Sequence, residues 1–94
     1  IIIDPGFGFG KTIAHNFELL RNLHAFKKLN CPLLAGVSRK SFVYKSIGIT
    51  SENALTGTIV LNTIALMNGA SILRVHDVKE AKQTIQLFKA YEKK

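Results

Sequence analysis

Apolar residues along the chain form three short runs, each of which ends in a cluster of polar, charged or glycine residues. The runs belong to predicted strands over residues 1–3, 33–37 and 71–75, and the middle one shows no alternation of apolar and polar positions. Such a run is typical of a strand in a parallel sheet that is covered on both faces. Between the runs, apolar residues recur every three or four positions, as on an amphipathic helix. The pattern predicts the order β-α-β-α-β-α.

The predicted helices fill the gaps between the strands. The first covers residues 13–28, a short helical turn is expected over residues 41–46, and a longer helix begins near residue 50 and ends before Gly69. The last helix follows Asp77, which has the spacing of a capping box with Glu80 three positions later. Each strand therefore leads through a polar cluster into a helix.

Strands that alternate with helices predict a parallel sheet with right-handed crossovers. Both a doubly wound sheet and part of a (β/α)8 TIM barrel satisfy this pattern. Three strands cannot close such a barrel, which takes eight, and the chain starts with Ile1-Ile2-Ile3 rather than Met. We expect residues 1–94 to be a partial domain whose N-terminal part is missing. In either fold, the three polar clusters meet at one rim.

Composition narrows the expected partners. The chain has 13 Lys and Arg residues against 6 Asp and Glu, a formal net charge of +7, which suggests an anionic partner. Many of the lysines fall on helix-like segments without interleaved aromatic residues, a pattern that disfavours nucleic acid. No apolar stretch approaches the roughly 20 residues that span a bilayer, and the lone Cys31 forms no internal disulfide. We expect a cytoplasmic protein that binds neither nucleic acid nor membrane.

The first polar cluster imitates a nucleotide-binding loop without matching one. Gly10-Lys11-Thr12 looks like the end of a P-loop, but Pro5 occupies the place of its first glycine and has no backbone N–H for a phosphate. Asp4 offers a carboxylate that can accept two hydrogen bonds from an amidine-like ligand edge. The alternative is that Asp4 caps a local turn.

The second and third clusters supply cations. Arg39 and Lys40 lie beside serines and can meet an anion where a helix starts, or form a solvated surface pair. Arg74 and His76 are two apart in an extended segment, so both project to one side, where they can hold a diphosphate. The alternative is that Arg74 pairs with a carboxylate and His76 packs at the rim.

Taken in order, the three clusters resemble a known family. The matching segments read DPGFGFGKT at residues 4–12, SRKSF at residues 38–42 and RVHDV at residues 74–78. They closely resemble the C-terminal part of bacterial dihydropteroate synthases, from the sixth strand of that family's (β/α)8 barrel through its eighth helix. The resemblance implies condensation of 6-hydroxymethyl-7,8-dihydropterin diphosphate with p-aminobenzoate, giving 7,8-dihydropteroate and diphosphate in folate biosynthesis. It also implies inhibition by sulfonamides, which mimic p-aminobenzoate.

The resemblance implies roles for individual residues. Asp4 and Lys40 would bind the pterin, and Gly36 would line the slot that holds it. Phe9 would lie near the entry of p-aminobenzoate, and Ser41 would meet its carboxylate.

Two further residues, Arg74 and His76, would surround the pterin and the diphosphate. They would act catalytically by stabilising the leaving diphosphate, so that no covalent nucleophile is needed. Mg²⁺ would be held by a ligand in the missing N-terminal part, and residues 1–94 alone would be inactive. The full-length protein is expected to form a homodimer.

The chain departs from the family pattern at one position. Ala54 stands where many members have an arginine, three residues before Gly57, and we expect an effect on surface pairing only; Gly57 itself is expected to allow close packing against the sheet.

The first alternative function is the pterin-binding domain of a folate-dependent methyltransferase, which the second and third clusters disfavour. The second is a non-catalytic basic binding module.

Overall fold

The computed structural model describes residues 1–8 and 10–93, which form a mixed α/β structure. In this part of the chain the helices are α1 (Ile13–Arg21), α2 (Ser41–Lys45), α3 (Leu55–Met67) and α4 (Val78–Glu92). The paired strands are β1 (Leu34–Ala35) and β2 (Ile72–Leu73). Short 3-10 helices cover Leu23–Leu29 and Ser51–Asn53.

The sheet is parallel, as the sequence predicted. β1 pairs with β2 in the register that places Leu34 opposite Ile72. On the other side of β1, Ile3 forms a parallel bridge with Leu33. The paired stretches are much shorter than the predicted strands. The three segments are neighbours in the order in which they occur along the chain.

An aromatic cluster attaches two of the polar loops to the core. Phe42 in α2 stacks on Phe7 with ring centroids 5.9 Å apart, and it meets Phe17 of α1 edge-on at 5.5 Å. Phe7 and Phe42 are both buried. Because aromatic side chains bury a large apolar area in a specific geometry, this packing holds the glycine-rich loop against the start of α2.

The first helix is shorter than predicted. α1 ends at Arg21, and a 3-10 helix continues to Leu29, so the expected single helix over residues 13–28 is wrong. At the break, the backbone N–H and the side-chain amide of Asn22 both donate to the carbonyl of Glu18, at 3.0 and 2.9 Å. The backbone bond is an ordinary α-helical one, whereas the side-chain bond to the same carbonyl competes with continuation of the α-helix. The second segment ends at Asn30, which adopts a left-handed conformation with φ of 52°.

The third helix also begins later than predicted. A 3-10 turn precedes it, and α3 itself starts at Leu55. A Cβ built at Gly57 would lie 2.8 Å from Cγ1 of Val43 in α2, so this glycine allows close packing against α2 rather than against the sheet. Ala54 is completely buried. The expectation that this position influences surface pairing is therefore wrong.

α4 begins without the predicted capping box. Asp77 precedes the helix but its side chain caps no backbone N–H. Along α4, Ala81 and Thr84 are buried, whereas Val78 is 60% exposed. Over the residues that the structure describes, there is no helix with the length and apolar character needed to cross a bilayer.

Candidate active site

The three polar clusters lie side by side at the carboxyl ends of the strands. Side-chain hydrogen bonds connect the first cluster to the third, through Asp4 and Arg74, and the second to the third, through Ser38 and His76. Lys40 connects the second cluster to the first, since its Nζ donates to the carbonyl of Phe7 at 2.7 Å. The expected convergence on one rim is thus observed.

Asp4 is held by two donors. Its Oδ1 accepts from the backbone N–H of Gly6 at 3.1 Å, and its Oδ2 accepts from Nη1 of Arg74 at 3.1 Å. Partial burial by itself raises the pKa of Asp4, but the hydrogen bonds from Arg74 and Gly6 and the nearby charges of Arg74 and Lys40 outweigh it and lower the pKa. Asp4 is therefore an ionised acceptor at neutral pH. It caps a local turn and still faces the rim, with 38% of its side chain exposed.

Arg74 lies against the backbone of Gly36. A Cβ at Gly36 would overlap Nη2 of Arg74 and come within 2.8 Å of its Cζ, so only glycine leaves room for this guanidinium. The sequence left two interpretations of Arg74 open. One of them, pairing with a carboxylate, is observed, and the partner is Asp4. The Arg74 side chain is 55% exposed, and an exposed ion pair of this kind contributes little stability. Little free energy therefore opposes its rearrangement around a ligand.

Lys40 spans the gap between the second cluster and the glycine-rich loop. Its Cδ lies 3.0 Å from the position of a Cβ at Gly8, which shows how closely its alkyl chain follows this loop. Burial lowers the pKa of Lys40, and the positive charges of Arg74 and Lys11 add to this effect while Asp4 opposes it. One ammonium hydrogen is used by Phe7 O, which leaves donors for a ligand because a lysine has three.

Arg39, by contrast, is engaged within the chain. Its Nε and Nη2 donate to the two carboxylate oxygens of Asp77 at 2.9 and 3.0 Å, and its Nη1 donates to the carbonyl of Ser51 at 3.1 Å. Its own backbone is left-handed, with φ of 52°, and donates to Oγ1 of the buried Thr58. Arg39 does not form a solvated surface pair with Lys40, because its guanidinium is bound to Asp77 and to the carbonyl of Ser51.

The sequence did not indicate that Asp77 is the partner of Arg39. The hydrogen bonds from Arg39 hold the pKa of Asp77 below its usual range; partial burial acts in the opposite direction, and the charges of Arg39 and His76 lower it further. The sequence signal at Asp77 favoured a helix cap, because the residue that competes for its carboxylate lies 38 positions away.

Ser38 and His76 form a second cross-link between the clusters. Oγ of Ser38 lies 2.8 Å from Nδ1 of His76 and accepts from the His76 backbone N–H at 3.2 Å. Ser38 is buried, whereas His76 is exposed at the rim. The sequence indicated His76 and placed Ser38 among the serines of the second cluster, but it did not indicate that Ser38 contacts His76.

Asn16 in α1 is another residue that the sequence did not indicate. It is 1% exposed, its Oδ1 accepts from the backbone N–H of Gly8 at 2.7 Å, and its Nδ2 donates to the carbonyl of Thr12 at 2.9 Å. Asn16 therefore fastens the glycine-rich loop to the helix that follows it. The available signal was a polar residue within the apolar face of an amphipathic helix.

The remaining candidates contribute less to this arrangement. Ser41 is the exposed first residue of α2, and in the described part of the chain no hydrogen bond ties its side chain to the other clusters. Phe9, the candidate for p-aminobenzoate, lies outside the described residues. Among residues 1–8 and 10–93, no group of three His, Cys, Asp or Glu side chains is placed to hold a metal ion.

Comparison with known proteins identifies similar sequences and structures. The sequence profile of the family described as "Pterin binding enzyme" matches residues 1–76. The dihydropteroate synthase of Escherichia coli (strain K12) is 43% identical over 90 residues, which are 96% of this chain and 32% of that protein.

Solved structures that superpose on this chain are also of dihydropteroate synthases. A dihydropteroate synthase from Coxiella burnetii in complex with pteroic acid superposes with a TM-score of 0.91 at 41% identity, covering 97% of this chain and 35% of that one. A Yersinia pestis dihydropteroate synthase with a sulfonamide drug gives a TM-score of 0.92 at 42% identity, covering 96% and 33%. The chain thus spans about a third of the length of these proteins.

Proposed function

The chain belongs to the family of pterin-binding enzymes, and from that membership we propose that it is the C-terminal part of a dihydropteroate synthase. The proposed reaction joins 6-hydroxymethyl-7,8-dihydropterin diphosphate to p-aminobenzoate, giving 7,8-dihydropteroate and diphosphate for folate biosynthesis. The observation that carries this proposal is the meeting of an ionised carboxylate, Asp4, with Lys40, Arg74 and His76 at one rim. These groups match a ligand that has a hydrogen-bonding ring at one end and an anion at the other.

The proposed place in the fold is strands six to eight of a (β/α)8 barrel with their helices, so that residues 1–94 form a partial barrel domain. The parallel pairing of neighbours in chain order supports it, since consecutive strands lie side by side in such a barrel. The solved structures that superpose on the chain are of dihydropteroate synthases, which are TIM-barrel enzymes.

Asp4 and Lys40 are proposed to bind the pterin. An ionised carboxylate is a stronger acceptor than a neutral group, and its two oxygens can accept a pair of parallel N–H donors from the amidine-like edge of the ring. Lys40 supplies further donors from beside the glycine-rich loop, where its Nζ donates to the carbonyl of Phe7. Gly36 is proposed to line the pterin slot. Because it has no side chain, there is space beside its backbone, and the guanidinium of Arg74 occupies that space in this structure.

Arg74 and His76 are proposed to receive the diphosphate. In the reaction, the bond between the pterin methylene carbon and the diphosphate oxygen breaks, and the amine of p-aminobenzoate bonds to that carbon and loses a proton. Negative charge grows on the leaving oxygen, and cations or N–H donors already in place there lower the barrier. For this role, Arg74 exchanges its exposed contact with Asp4 for the diphosphate.

Further components are proposed from the family resemblance. Ser41 and Phe9 are proposed to bind p-aminobenzoate, in keeping with the complex of a related synthase with a sulfonamide drug. Mg²⁺ is proposed to be held by a ligand in the part of the protein that precedes this chain. The full-length protein is proposed to be a cytoplasmic homodimer.

Calorimetric titration of the full-length protein with the pterin diphosphate tests the proposal. We expect Asp4→Ala and Lys40→Ala each to weaken binding by about 10-fold or more, because a hydrogen bond to a charged group contributes roughly 1.5–3 kcal/mol. Lys45→Ala is the matched control, since Lys45 is an exposed lysine at the end of α2. If Asp4→Ala and Lys40→Ala bind the pterin as well as the control does, the proposed function is wrong.

A further inference from the structure

The hydrogen bonds of Ser38 and His76 determine where the imidazole proton lies. Oγ of Ser38 is 2.8 Å from Nδ1 of His76 and 3.2 Å from the backbone nitrogen of the same residue. Ser38 is 3% exposed, so water has little access to this hydroxyl. Among the residues that the structure describes, its Oγ has no other hydrogen-bond partner.

A hydroxyl group has one proton to donate and two lone pairs that accept. The backbone N–H of His76 can only donate, so Ser38 Oγ is the acceptor in that bond. If Nδ1 of His76 also carried a proton, the hydroxyl would have to accept twice and its own proton would be left without an acceptor. A buried donor without a partner is costly. The remaining arrangement is one in which the Ser38 hydroxyl donates to an unprotonated Nδ1.

We propose that Ser38 is a positioning residue that holds the neutral His76 ring in the tautomer with its proton on Nε2. The two bonds reach both the ring and the backbone of His76, so they fix the orientation of the ring as well as its tautomer. Nε2–H is then the donor presented at the exposed rim. This inference rests on the proposed function, in which that donor meets the leaving diphosphate.

The surroundings hold Ser38 in place independently of any ligand. The next residue, Arg39, donates its backbone N–H to Thr58 Oγ1 at 3.0 Å, and its side chain binds Asp77, the residue after His76. The Ser38–His76 bond therefore has a second cross-link directly beside it, between the same two loops. This doubled connection preorganises the donor, which matters because a donor fixed before the reaction need not be reorganised during it.

The test uses the full-length protein and the ¹⁵N NMR signals of the His76 ring, assigned by their absence in His76→Gln. Wild-type protein is expected to show the Nε2–H tautomer alone when His76 is neutral. Ser38→Ala is expected to give a mixture of both tautomers and to lower turnover roughly 10- to 100-fold, by analogy with removal of the partner that orients a metal-binding histidine. Ser38→Thr, which keeps the hydroxyl, should restore most of both properties.

Ser71→Ala is the matched control. Ser71 also accepts a backbone N–H between neighbouring segments, from Leu33 at 3.1 Å, but its hydroxyl does not contact His76. It should leave the His76 tautomer and the turnover unchanged.

The outcomes separate this inference from the proposed function. If wild-type His76 carries its proton on Nδ1, or if Ser38→Ala keeps the wild-type tautomer, the inference is overturned, whatever happens to turnover. If the wild-type protein forms no dihydropteroate, the proposed function fails while the NMR signals still decide the role of Ser38.

Discussion

Because Gly36 has no side chain, the guanidinium of Arg74 can lie beside its backbone and meet the carboxylate of Asp4. The guanidinium of Arg74 lies where a Cβ would be, and from there it reaches Asp4. The contact involves the end of a long, half-exposed side chain rather than a packed core group. A change at Gly36 should therefore alter the site without greatly altering the fold.

We predict that Gly36→Ala displaces Arg74 and raises the pKa of Asp4. The Arg74 hydrogen bond and charge both lower this pKa, so their loss moves it upward, which ¹³C NMR titration of the carboxyl group measures. The free energy of unfolding should change by less than about 1 kcal/mol, because a flexible side chain can move aside. An unchanged Asp4 titration would show that Arg74 does not need the space above Gly36.

Gly57→Ala is the contrasting variant in the same protein. Its new Cβ would meet Val43, which is 2% exposed and cannot move into solvent. Overpacking a core typically costs 1–3 kcal/mol, partly offset by about 1 kcal/mol from better helix propensity. We expect lower stability and an unchanged Asp4 pKa.

Among the elements, the loop after β1 and the start of α4 are joined by the ion pair of Arg39 and Asp77. The pair is bidentate, and the two side chains are 27% and 22% exposed. Because Ser38 and His76 directly precede these residues in the two segments, the pair keeps the second and third clusters in register. The ion pair thus supports the neighbouring candidate binding groups structurally.

We predict that Asp77→Asn destabilises the full-length protein at neutral pH but not in acid. The pKa of Asp77 is lowered in the folded state, so its contribution to stability is present above the unfolded pKa of about 3.9 and is lost as the pH falls through the lower folded value. Urea unfolding at a series of pH values should show the variant and the wild type converging below about pH 4.

Glu52→Gln controls for the loss of a negative charge near the same loop, since Glu52 is exposed and forms no ion pair in the described part of the chain. It should not reproduce the pH-dependent difference. A constant difference between Asp77→Asn and the wild type at all pH values would contradict the role assigned to the ion pair.

At the scale of the whole molecule, the chain has a small sheet and several exposed apolar side chains. β1 and β2 pair over only two residues each. Ile1, Leu87 and Tyr91 are 99%, 73% and 74% exposed. The proposed barrel would place further strands and helices beside this small sheet.

We predict that residues 1–94, produced alone, form no dihydropteroate and unfold without a sharp cooperative transition. The physical reason is that little sheet is paired and much apolar surface remains in water. Assays of product formation and urea unfolding followed by circular dichroism measure both properties, with the full-length protein as the positive control. Measurable turnover by the isolated segment would overturn this prediction.

The sequence was informative where a signal is local. Gly69 follows the end of α3, as predicted, with a positive φ of 108°. The sequence failed where a local preference lost to a distant partner. The spacing of Asp77 and Glu80 favoured a capping box, but the Asp77 carboxylate binds Arg39, since a guanidinium offers two parallel charge-assisted bonds. At Asn22 the unpredicted contact is instead local, since its side-chain amide donates to the carbonyl of Glu18 in the same turn.

The sequence by itself determined the order of helices and strands and the types of chemical group at the strand ends, because these depend on periodicity and on neighbouring residues. Only the tertiary structure decided how those groups combine. Asp4 meets Arg74 across 70 positions and Ser38 meets His76 across 38. Such pairings follow from the way the βα units pack, and packing brings together residues whose separation along the chain carries no signal. That is why the sequence could predict which chemical groups lie at the strand ends but not which contacts hold them there.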